Sequence, residues 1–219
     1  VYGGTDIKTQ IKSLSKGNNI IIGTPGRVID LIKRKKINLE KIKNVVMDEA
    51  DEMLNMGFKK DIDTILYKTP KNKQILLFSA TMPKEVLKIS KNYMINPHII
   101  EIAKRNEGAK NVTHLYYVVN PKEKYSALRR LCDFYPKIYG IIFCRTRREC
   151  KDVSSKLMKD GYNADALHGD LSQSQRDYVM SKFRQKNIEI LVATDVAARG
   201  LDVERIKLVI NYDFPFDTE

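Results

Sequence analysis

The chain has 219 residues, of which 42% are hydrophobic, and this is enough to bury the cores of two modest domains. Its 39 Lys and Arg residues outnumber 27 Asp and Glu residues, and the net charge of +12 favours an anionic partner, either nucleic acid or an anionic membrane. No run of 18 apolar residues occurs, and the first residues lack a signal-peptide pattern. Without any Trp or a strongly amphipathic basic helix, membrane binding is the less favoured alternative.

Short apolar runs alternate along the chain with longer amphipathic stretches. Such runs are typical of strands buried on both faces of a parallel sheet, so the alternation predicts an α/β fold. Strands are predicted at residues 20–22, 45–47, 75–78, 98–102, 114–119, 141–143, 164–167, 190–193 and 208–210. Helices are predicted at residues 5–16, 27–35, 60–67, 84–94, 122–134, 147–160 and 173–185.

A polar stretch without apolar periodicity interrupts this alternation at residues 104–112. We interpret it as a linker between two α/β domains, residues 1–103 and 113–219. A surface loop within one continuous sheet is the alternative.

Two acids, Asp48 and Glu49, directly follow the predicted strand 45–47. In open α/β sheets, ligands bind beyond the carboxyl ends of the strands. One carboxylate there can hold Mg²⁺ through water, and the next can orient or deprotonate an attacking water. Asp51 follows one short turn later and can tie this loop to a neighbour. An acidic start to the next helix, favourable to its dipole, would explain the same residues.

Two further motifs of the first half follow predicted strands. Thr24-Pro25-Gly26-Arg27 begins a predicted helix, where free backbone N–H groups and the Arg27 guanidinium can bind a phosphate. The same residues are also an ordinary helix cap. Ser79-Ala80-Thr81 follows the strand 75–78 and, taken alone, is explained by helix capping before Pro83. The pair Gly3-Gly4 indicates a turn when it is considered in isolation.

In the second half, Arg145 and Thr146 follow the strand 141–143, where a phosphate could bind. Leu167-His168-Gly169-Asp170 follows the next strand, and we interpret His168 as structural because no acid or nucleophile is spaced to use it. Ser172 and Gln175 predict a capping box. Gln173 and Arg176 then share one helix face, although an ordinary solvated face gives the same pair.

The string from Ala193 to Asp202 follows the strand 190–193. Thr194 can bind a phosphate oxygen, Gly200 permits a close backbone approach, and Asp202 can accept hydrogen bonds from ribose hydroxyls. A short helix closed by Gly200 would explain the glycine but not the whole string.

In this order, these motifs resemble the DEAD-box family of ATP-dependent RNA helicases, over essentially the whole chain. The tetrapeptide Asp48-Glu49-Ala50-Asp51 is the family's signature, and the Thr-Pro-Gly-Arg, Ser-Ala-Thr, Gln-x-x-Arg and motif V elements occur as the family has them. The resemblance implies two RecA-like parallel-sheet domains, both incomplete at their outer ends and joined by a short linker. It also implies the cofactors ATP and Mg²⁺ and a monomeric protein that binds RNA through its backbone, independently of sequence.

The resemblance also implies a role for each motif. Asp48 and Glu49 are the expected catalytic acids, with Asp48 holding Mg²⁺. Asp51, Ser79 and Thr81 are expected to couple the domains. The nucleotide-binding residues would include Gly200 and Asp202. The expected RNA-binding residues are Gly3, Gly4, Thr24, Pro25, Gly26, Arg27, Arg145, Thr146, Gly169, Gln173, Arg176 and Thr194.

The phosphate-binding loop of this family, Gly-x-x-x-x-Gly-Lys-[Ser/Thr], does not occur in the sequence, nor does the family's arginine-finger motif. We therefore expect the chain to be an internal piece of a longer enzyme. Two alternatives stay open, a DNA helicase of the same superfamily, in which Asp-Glu-x-His is common, and a non-catalytic RNA-binding protein.

The three cysteines, Cys132, Cys144 and Cys150, favour a reducing compartment over a disulfide scaffold, and we expect a cytoplasmic protein. The spacing from Cys144 to Cys150 is not a usual zinc pattern, so buried or surface thiols are the favoured interpretation.

We expect these 219 residues alone to have negligible ATPase activity. Phosphate-cradling groups carry most of the catalysis of phosphoryl transfer, and an arginine finger alone is worth roughly 10³–10⁵ in rate. Phosphate release measured with and without RNA tests this expectation. RNA-stimulated hydrolysis at a rate normal for the family would contradict it.

Overall fold

The computed structural model describes residues 1–102, 112–135, 138–198 and 203–214. The chain divides into two compact units, Val1–Glu107 and Gly108–Glu219. Each unit contains a parallel sheet with helices, which confirms the predicted α/β fold. The expected linker, residues 104–112, lies outside the described residues except for Val112, so the expected domain boundaries stay a prediction.

The first unit has two parallel strands, β1 (Asn44–Met47) and β2 (Gln74–Leu77), which pair over their full length. Its helices are α1 (Ile7–Leu14), α2 (Pro25–Lys33), α3 (Ala50–Asn55), α4 (Lys59–Lys68) and α5 (Lys84–Tyr93).

Helix α4 connects the two hydrophobic clusters of the first unit. Its residues Ile62 and Leu66 are buried against Met47 and the rest of the sheet cluster. Ile65, at the border of the same apolar face, packs against the second cluster, which contains Leu31 of α2. The helix therefore fixes the position of α2 relative to the strands, and with it the loop that begins α2.

The second unit contains a four-stranded parallel sheet in the order β4-β5-β3-β6. The strands are β3 (Gly140–Cys144), β4 (Ala164–Leu167), β5 (Ile190–Thr194) and β6 (Leu208–Asn211). A 3₁₀ turn (Pro121–Glu123) precedes the helices α6 (Lys124–Phe134), α7 (Arg147–Lys159), α8 (Gln173–Arg184) and α9 (Asp195–Ala198).

The central strand β5 is buried on both faces, as its continuous apolar run predicts. Ile190 and Val192 belong to one hydrophobic cluster, together with residues of α6 and α7. Leu191 and Ala193 belong to a second cluster, with Phe183 of α8. Because side chains alternate between the faces of a strand, one apolar run holds helices on both sides of the sheet.

All seven predicted helices are present, and their ends lie within about two residues of the expected ones. Differences of this size are normal when helix ends are assigned. The short helices α3 and α9 are additional, because four to six residues are too few to show helical periodicity.

Three predicted strands, at residues 20–22, 98–102 and 114–119, are wrong. A strand requires a hydrogen-bonded neighbour, and in the described residues these runs have no strand beside them. Near the first run, only the backbone of Val1 pairs with Ile22 and Thr24. Ile20, Ile100 and Tyr116 are accordingly 80%, 78% and 88% exposed.

The register of the strands brings their carboxyl ends to one edge in each unit. Met47 pairs with Leu77 in the first sheet. In the second, Leu167 pairs with Ala193 and Cys144 with Thr194. The motifs that follow these strands in sequence therefore meet at the sheet edge.

In the part of the chain that the structure describes, no helix is both long and apolar enough to cross a bilayer.

Candidate functional site

The two predicted catalytic acids lie at the carboxyl end of β1, and both are exposed. The Asp48 carboxylate accepts a hydrogen bond from the Glu49 backbone N–H at 3.0 Å. Glu49 has left-handed backbone angles, φ 50° and ψ 49°, immediately before α3. A side chain other than Gly is disfavoured there by roughly 1–2 kcal/mol. Strained residues of this kind are concentrated at functional sites.

Asp51 is buried and joins this loop to the one that follows β2. Its Oδ2 atom accepts hydrogen bonds from both the backbone N–H and the hydroxyl of Thr81, each at 2.8 Å. The Asp51 N–H donates to the Ser79 hydroxyl oxygen at 3.2 Å, and that hydroxyl donates to the Thr81 carbonyl at 2.6 Å. The three residues predicted to act in coupling thus form one closed network.

The charge of Asp51 is stabilised by this network. Burial acts to raise the pKa of Asp51, but hydrogen bonds from the Thr81 hydroxyl and N–H, the nearby Ser79 hydroxyl and the Glu52 N–H outweigh it and lower the pKa below its usual value. The carboxylate therefore stays ionised at neutral pH and keeps accepting from both Thr81 groups.

The predicted RNA-facing residues of the first unit lie close together. Thr24 precedes α2 as its N-cap residue and Pro25 is the first helical residue, although the Thr24 side chain makes no capping hydrogen bond. The Arg27 guanidinium donates to the Thr5 carbonyl, with N–O distances of 3.3 and 3.4 Å. Because Thr5 directly follows Gly3 and Gly4, this contact places the glycine pair beside the start of α2. Gly4 has φ 76°, which favours glycine.

Arg145 and Thr146 follow β3 in the second unit, as predicted. Thr146 is the N-cap of α7, and its hydroxyl accepts from the Glu149 N–H at 3.1 Å. The Arg145 guanidinium donates to the Phe214 carbonyl at 2.9 Å. Both are exposed at the carboxyl edge of the sheet.

His168 is buried, and its Nδ1 atom accepts the Asp170 N–H at 3.3 Å, which supports the predicted structural role. Burial lowers the pKa of His168, and the nearby charges of Lys151, Arg147 and Arg176 lower it further. The imidazole is therefore neutral at pH 7 and can serve as an acceptor. Gly169, between His168 and Asp170, is exposed.

Helix α8 begins after the predicted capping box of Ser172 and Gln175, which the structure confirms. The Gln173 side chain donates to Asp177 at 2.9 Å, and Arg176 lies one turn further along. Thr194 is buried at the end of β5, beside Cys144. The expected nucleotide residues Gly200 and Asp202 lie outside the described residues.

A group of charged residues behind Thr146 was not predicted from the sequence. Lys124 contacts both Asp213, with which it forms an ion pair, and Glu149, at 3.9 Å from Nζ to Oε1. Burial and the neighbouring Asp213 carboxylate raise the pKa of Glu149 to about 7. Burial opposes a low pKa for Asp213, yet hydrogen bonds from Glu149 and Lys124 lower it. Glu149 and Asp213 are far apart in the sequence, so no local sequence pattern predicts their contact.

The three cysteines are free and buried. Burial raises the pKa of Cys132 and of Cys150 to about 11, so their thiols are protonated and poor nucleophiles at neutral pH. Among the described residues, no group of three or more potential ligand side chains could hold a metal ion by itself. A metal bound here would need ligands from a substrate or from water.

The model of the DEAD/DEAH box helicase family matches residues 1–89. The model of the helicase conserved C-terminal domain matches residues 123–219. The chain belongs to the DEAD-box helicase family. Together the two matches contain all of the site residues described above, in both units.

Several DEAD-box relatives align with the whole chain. The ATP-dependent RNA helicase CshA of Listeria monocytogenes is 46% identical over 219 residues, which are 100% of this chain and 42% of CshA. A probable ATP-dependent RNA helicase of Methanocaldococcus jannaschii is 49% identical, over 100% of this chain and 58% of its own. The chain thus spans about half the length of these relatives.

A solved DEAD-box structure supports the fold assignment. The structure of Saccharomyces cerevisiae Dbp5 bound to RNA and ADP BeF3 is similar with a TM-score of 0.80 and 34% identity. The similarity covers 89% of this chain and 50% of Dbp5. The α/β units seen here are therefore RecA-like, as the sequence motifs implied.

The Asp51 network allows a stability test. Asp51→Ala should lower the free energy of unfolding by about 2–4 kcal/mol, because two partly buried Thr81 donors lose a charged acceptor. Thr81→Val, which removes only one donor, should cost about 1 kcal/mol. Urea unfolding measures both. Equal losses for the two variants would contradict the central position of Asp51.

The raised pKa of Glu149 predicts a pH-dependent stability. Between its ordinary pKa of 4.5 and about 7, the folded chain keeps a proton that the unfolded chain releases, so stability falls as pH rises through this window. Glu149→Gln should therefore stabilise the protein at pH 8.5 by roughly 1 kcal/mol, since Glu149 is partly exposed, and have less effect at pH 5.5. Urea unfolding at the two pH values is the measurement. A variant that follows the wild-type pH dependence would disprove this account.

Proposed function

We propose that the full-length protein is an ATP-dependent RNA helicase, which binds single-stranded RNA and couples ATP hydrolysis to local duplex unwinding or the remodelling of RNA–protein complexes. The observation that carries the proposal is the Asp51 network. It joins the acids after β1 to the Ser79–Thr81 loop after β2, in a chain of the DEAD-box family. Relatives named ATP-dependent RNA helicases support it.

In this proposal, Asp48 and Glu49 act on the terminal phosphate of ATP. Glu49 orients or deprotonates the attacking water. Asp48 is an exposed oxygen ligand at the strand end, of the kind that Mg²⁺ accepts when the remaining positions are filled by phosphate and water. Bound there, Mg²⁺ would neutralise charge on the phosphates. The hydrogen bond from the Glu49 N–H restricts the orientation of the Asp48 carboxylate.

RNA binding is assigned to two groups of residues, one in each unit. The first is the start of α2 with the Gly3-Gly4 turn, where backbone N–H groups and Arg27 suit a phosphate. The second is the carboxyl edge of the four-stranded sheet, with Arg145, Thr146, Gly169, Gln173, Arg176 and Thr194. Both groups offer contacts to phosphate and sugar, so binding should depend little on base sequence. The similar Dbp5 structure is bound to RNA, which supports RNA as the ligand.

The remaining parts of the proposal follow from the family. Gly200 and Asp202 contact the nucleotide, and Asp51, Ser79 and Thr81 pass its state on to the RNA-binding parts. The protein acts as a monomer in the cytoplasm, and the three free thiols suit that reducing compartment.

The full-length Glu49→Gln variant tests the catalytic role. Turnover of ATP should fall at least about 100-fold, because the amide cannot act as a base, while affinity for a fluorescent ATP analogue should stay unchanged. Glu85→Gln, an exposed change on α5, is the matched control and should hydrolyse ATP normally. Unchanged turnover in Glu49→Gln would remove that residue from its proposed role.

The same assay separates the alternatives. An RNA helicase is stimulated by single-stranded RNA more strongly than by DNA of the same length, and a DNA helicase shows the reverse. A non-catalytic RNA-binding protein would bind RNA without hydrolysing ATP, and full-length wild-type protein without turnover would favour that alternative.

A further inference from the structure

One carboxylate, Asp170, pairs with two cations of the neighbouring helix α7. Its Oδ1 atom lies 2.6 Å from Arg147 Nη1, and its Oδ2 atom lies 2.7 Å from Lys151 Nζ. Arg147 and Lys151 are one turn apart on α7, so each oxygen of Asp170 holds one of them. The hydrogen bond from the Asp170 N–H to His168 fixes the loop from which the carboxylate extends.

This pairing lies directly beside residues assigned to RNA. Arg147 follows Thr146 in sequence, and Asp170 follows Gly169. A Cβ atom at Gly169 would lie 3.6 Å from Arg147 Cδ, so the Arg147 side chain passes over the bare backbone there. An open surface cavity at the start of α7 is lined by Thr146, Arg147, Arg148, Lys151 and Asp170.

The pKa of His168 depends on the charges of both α7 and α8. Lys151, Arg147 and Arg176 all act to lower its pKa, and Asp170 acts to raise it. Arg176, on α8, is thus within electrostatic reach of the same buried ring as the α7 cations. The cations from both helices therefore contribute to a single positive potential at this edge of the sheet.

We propose that Asp170 is a positioning residue for RNA binding, which holds Arg147 and Lys151 where both can reach phosphates of one RNA strand. The inference rests on the proposed function, since it deepens the RNA assignment of Thr146 and Gly169. Long cationic side chains lose much rotational freedom when they bind a phosphate. Asp170 restricts both side chains beforehand, so less freedom is lost when RNA binds.

Substitution of Asp170 should change RNA affinity in opposite directions, depending on whether the residue positions the cations or acts only as a negative charge. Asp170 is a negative charge near the RNA phosphates, so a carboxylate without a positioning role would only repel RNA, and its removal would tighten binding. If Asp170 positions the two cations, Asp170→Asn weakens RNA binding even though the site becomes more positive.

The test measures RNA-stimulated ATP hydrolysis by the full-length protein, with poly(U) as the RNA. Asp170→Asn should raise the KM for poly(U) at least about 5-fold, and leave kcat and the KM for ATP unchanged. Asp170→Glu keeps the charge and should recover most of the wild-type KM. The control is Asp152→Asn, which removes one negative charge from α7, the helix that carries Arg147 and Lys151; there Asp152 pairs with Lys156. It should leave the KM unchanged or lower it.

A second comparison tests the link to Lys151. Lys151→Met should raise the KM for poly(U), and adding Asp170→Asn should then have a smaller effect than it has alone, because one of its two partners is already gone. If the increase in KM of the double variant equals the product of the two single-variant increases, the inference is overturned.

The remaining outcomes separate this inference from the proposed function. An Asp170→Asn enzyme with an unchanged or lower KM for poly(U) overturns the positioning role while RNA stimulation itself persists. A fall in kcat without a change in KM overturns it also. Full-length wild-type protein that poly(U) does not stimulate overturns the RNA function, and the inference with it.

Discussion

In both units the strands run parallel and end in register. The proposed contacts of the acids after β1 and of the RNA-binding residues of the second unit depend on this arrangement. A parallel sheet needs a crossover between strands, so residues that meet at its carboxyl edge come from distant parts of the sequence. Asp51 and Thr81 are 30 residues apart, yet share a hydrogen bond because β1 and β2 end together. Antiparallel strands would place alternate motifs at opposite edges.

Hydrogen bonds at the strand ends hold the loops after β1 and β2 in one conformation. The Asp51 carboxylate satisfies two donors of Thr81, while the Ser79 hydroxyl both accepts and donates. A network in which each member has its partners has few alternative arrangements, because moving one residue leaves a buried polar group without a partner. The network therefore holds the loop after β1 in one position relative to the loop after β2.

Sequence patterns predicted the seven longer helices and the six strands of the described residues because these carry their periodicity locally. The runs at 20–22, 98–102 and 114–119 have the same composition as true strands, so composition could not show that they lack a neighbouring strand. The motif residues after β1 and β2, and those of the second unit, were predictable because they follow strands. Gly3-Gly4 and Thr24–Arg27 follow no strand among the described residues, and the sequence of each motif alone predicted them.

The contacts of these residues were less predictable. Lys124 and Asp213 are 89 residues apart, and no local pattern predicts such a pair. Asp170 was visible as part of a motif, but its two partners on α7 depend on how the helix packs on β4, which the sequence does not state.

The position of β6 has a consequence for synthesis on the ribosome. This strand pairs with β3, although about 60 residues separate the end of one from the start of the other. At a translation rate of roughly 5–20 residues per second, the edge of β3 emerges several seconds before its neighbour exists. At Gly140 the two backbones approach closely, since a Cβ atom would lie 2.5 Å from the Leu208 carbonyl oxygen. The nascent chain therefore exposes an apolar, unpaired edge that chaperones or premature pairing could occupy.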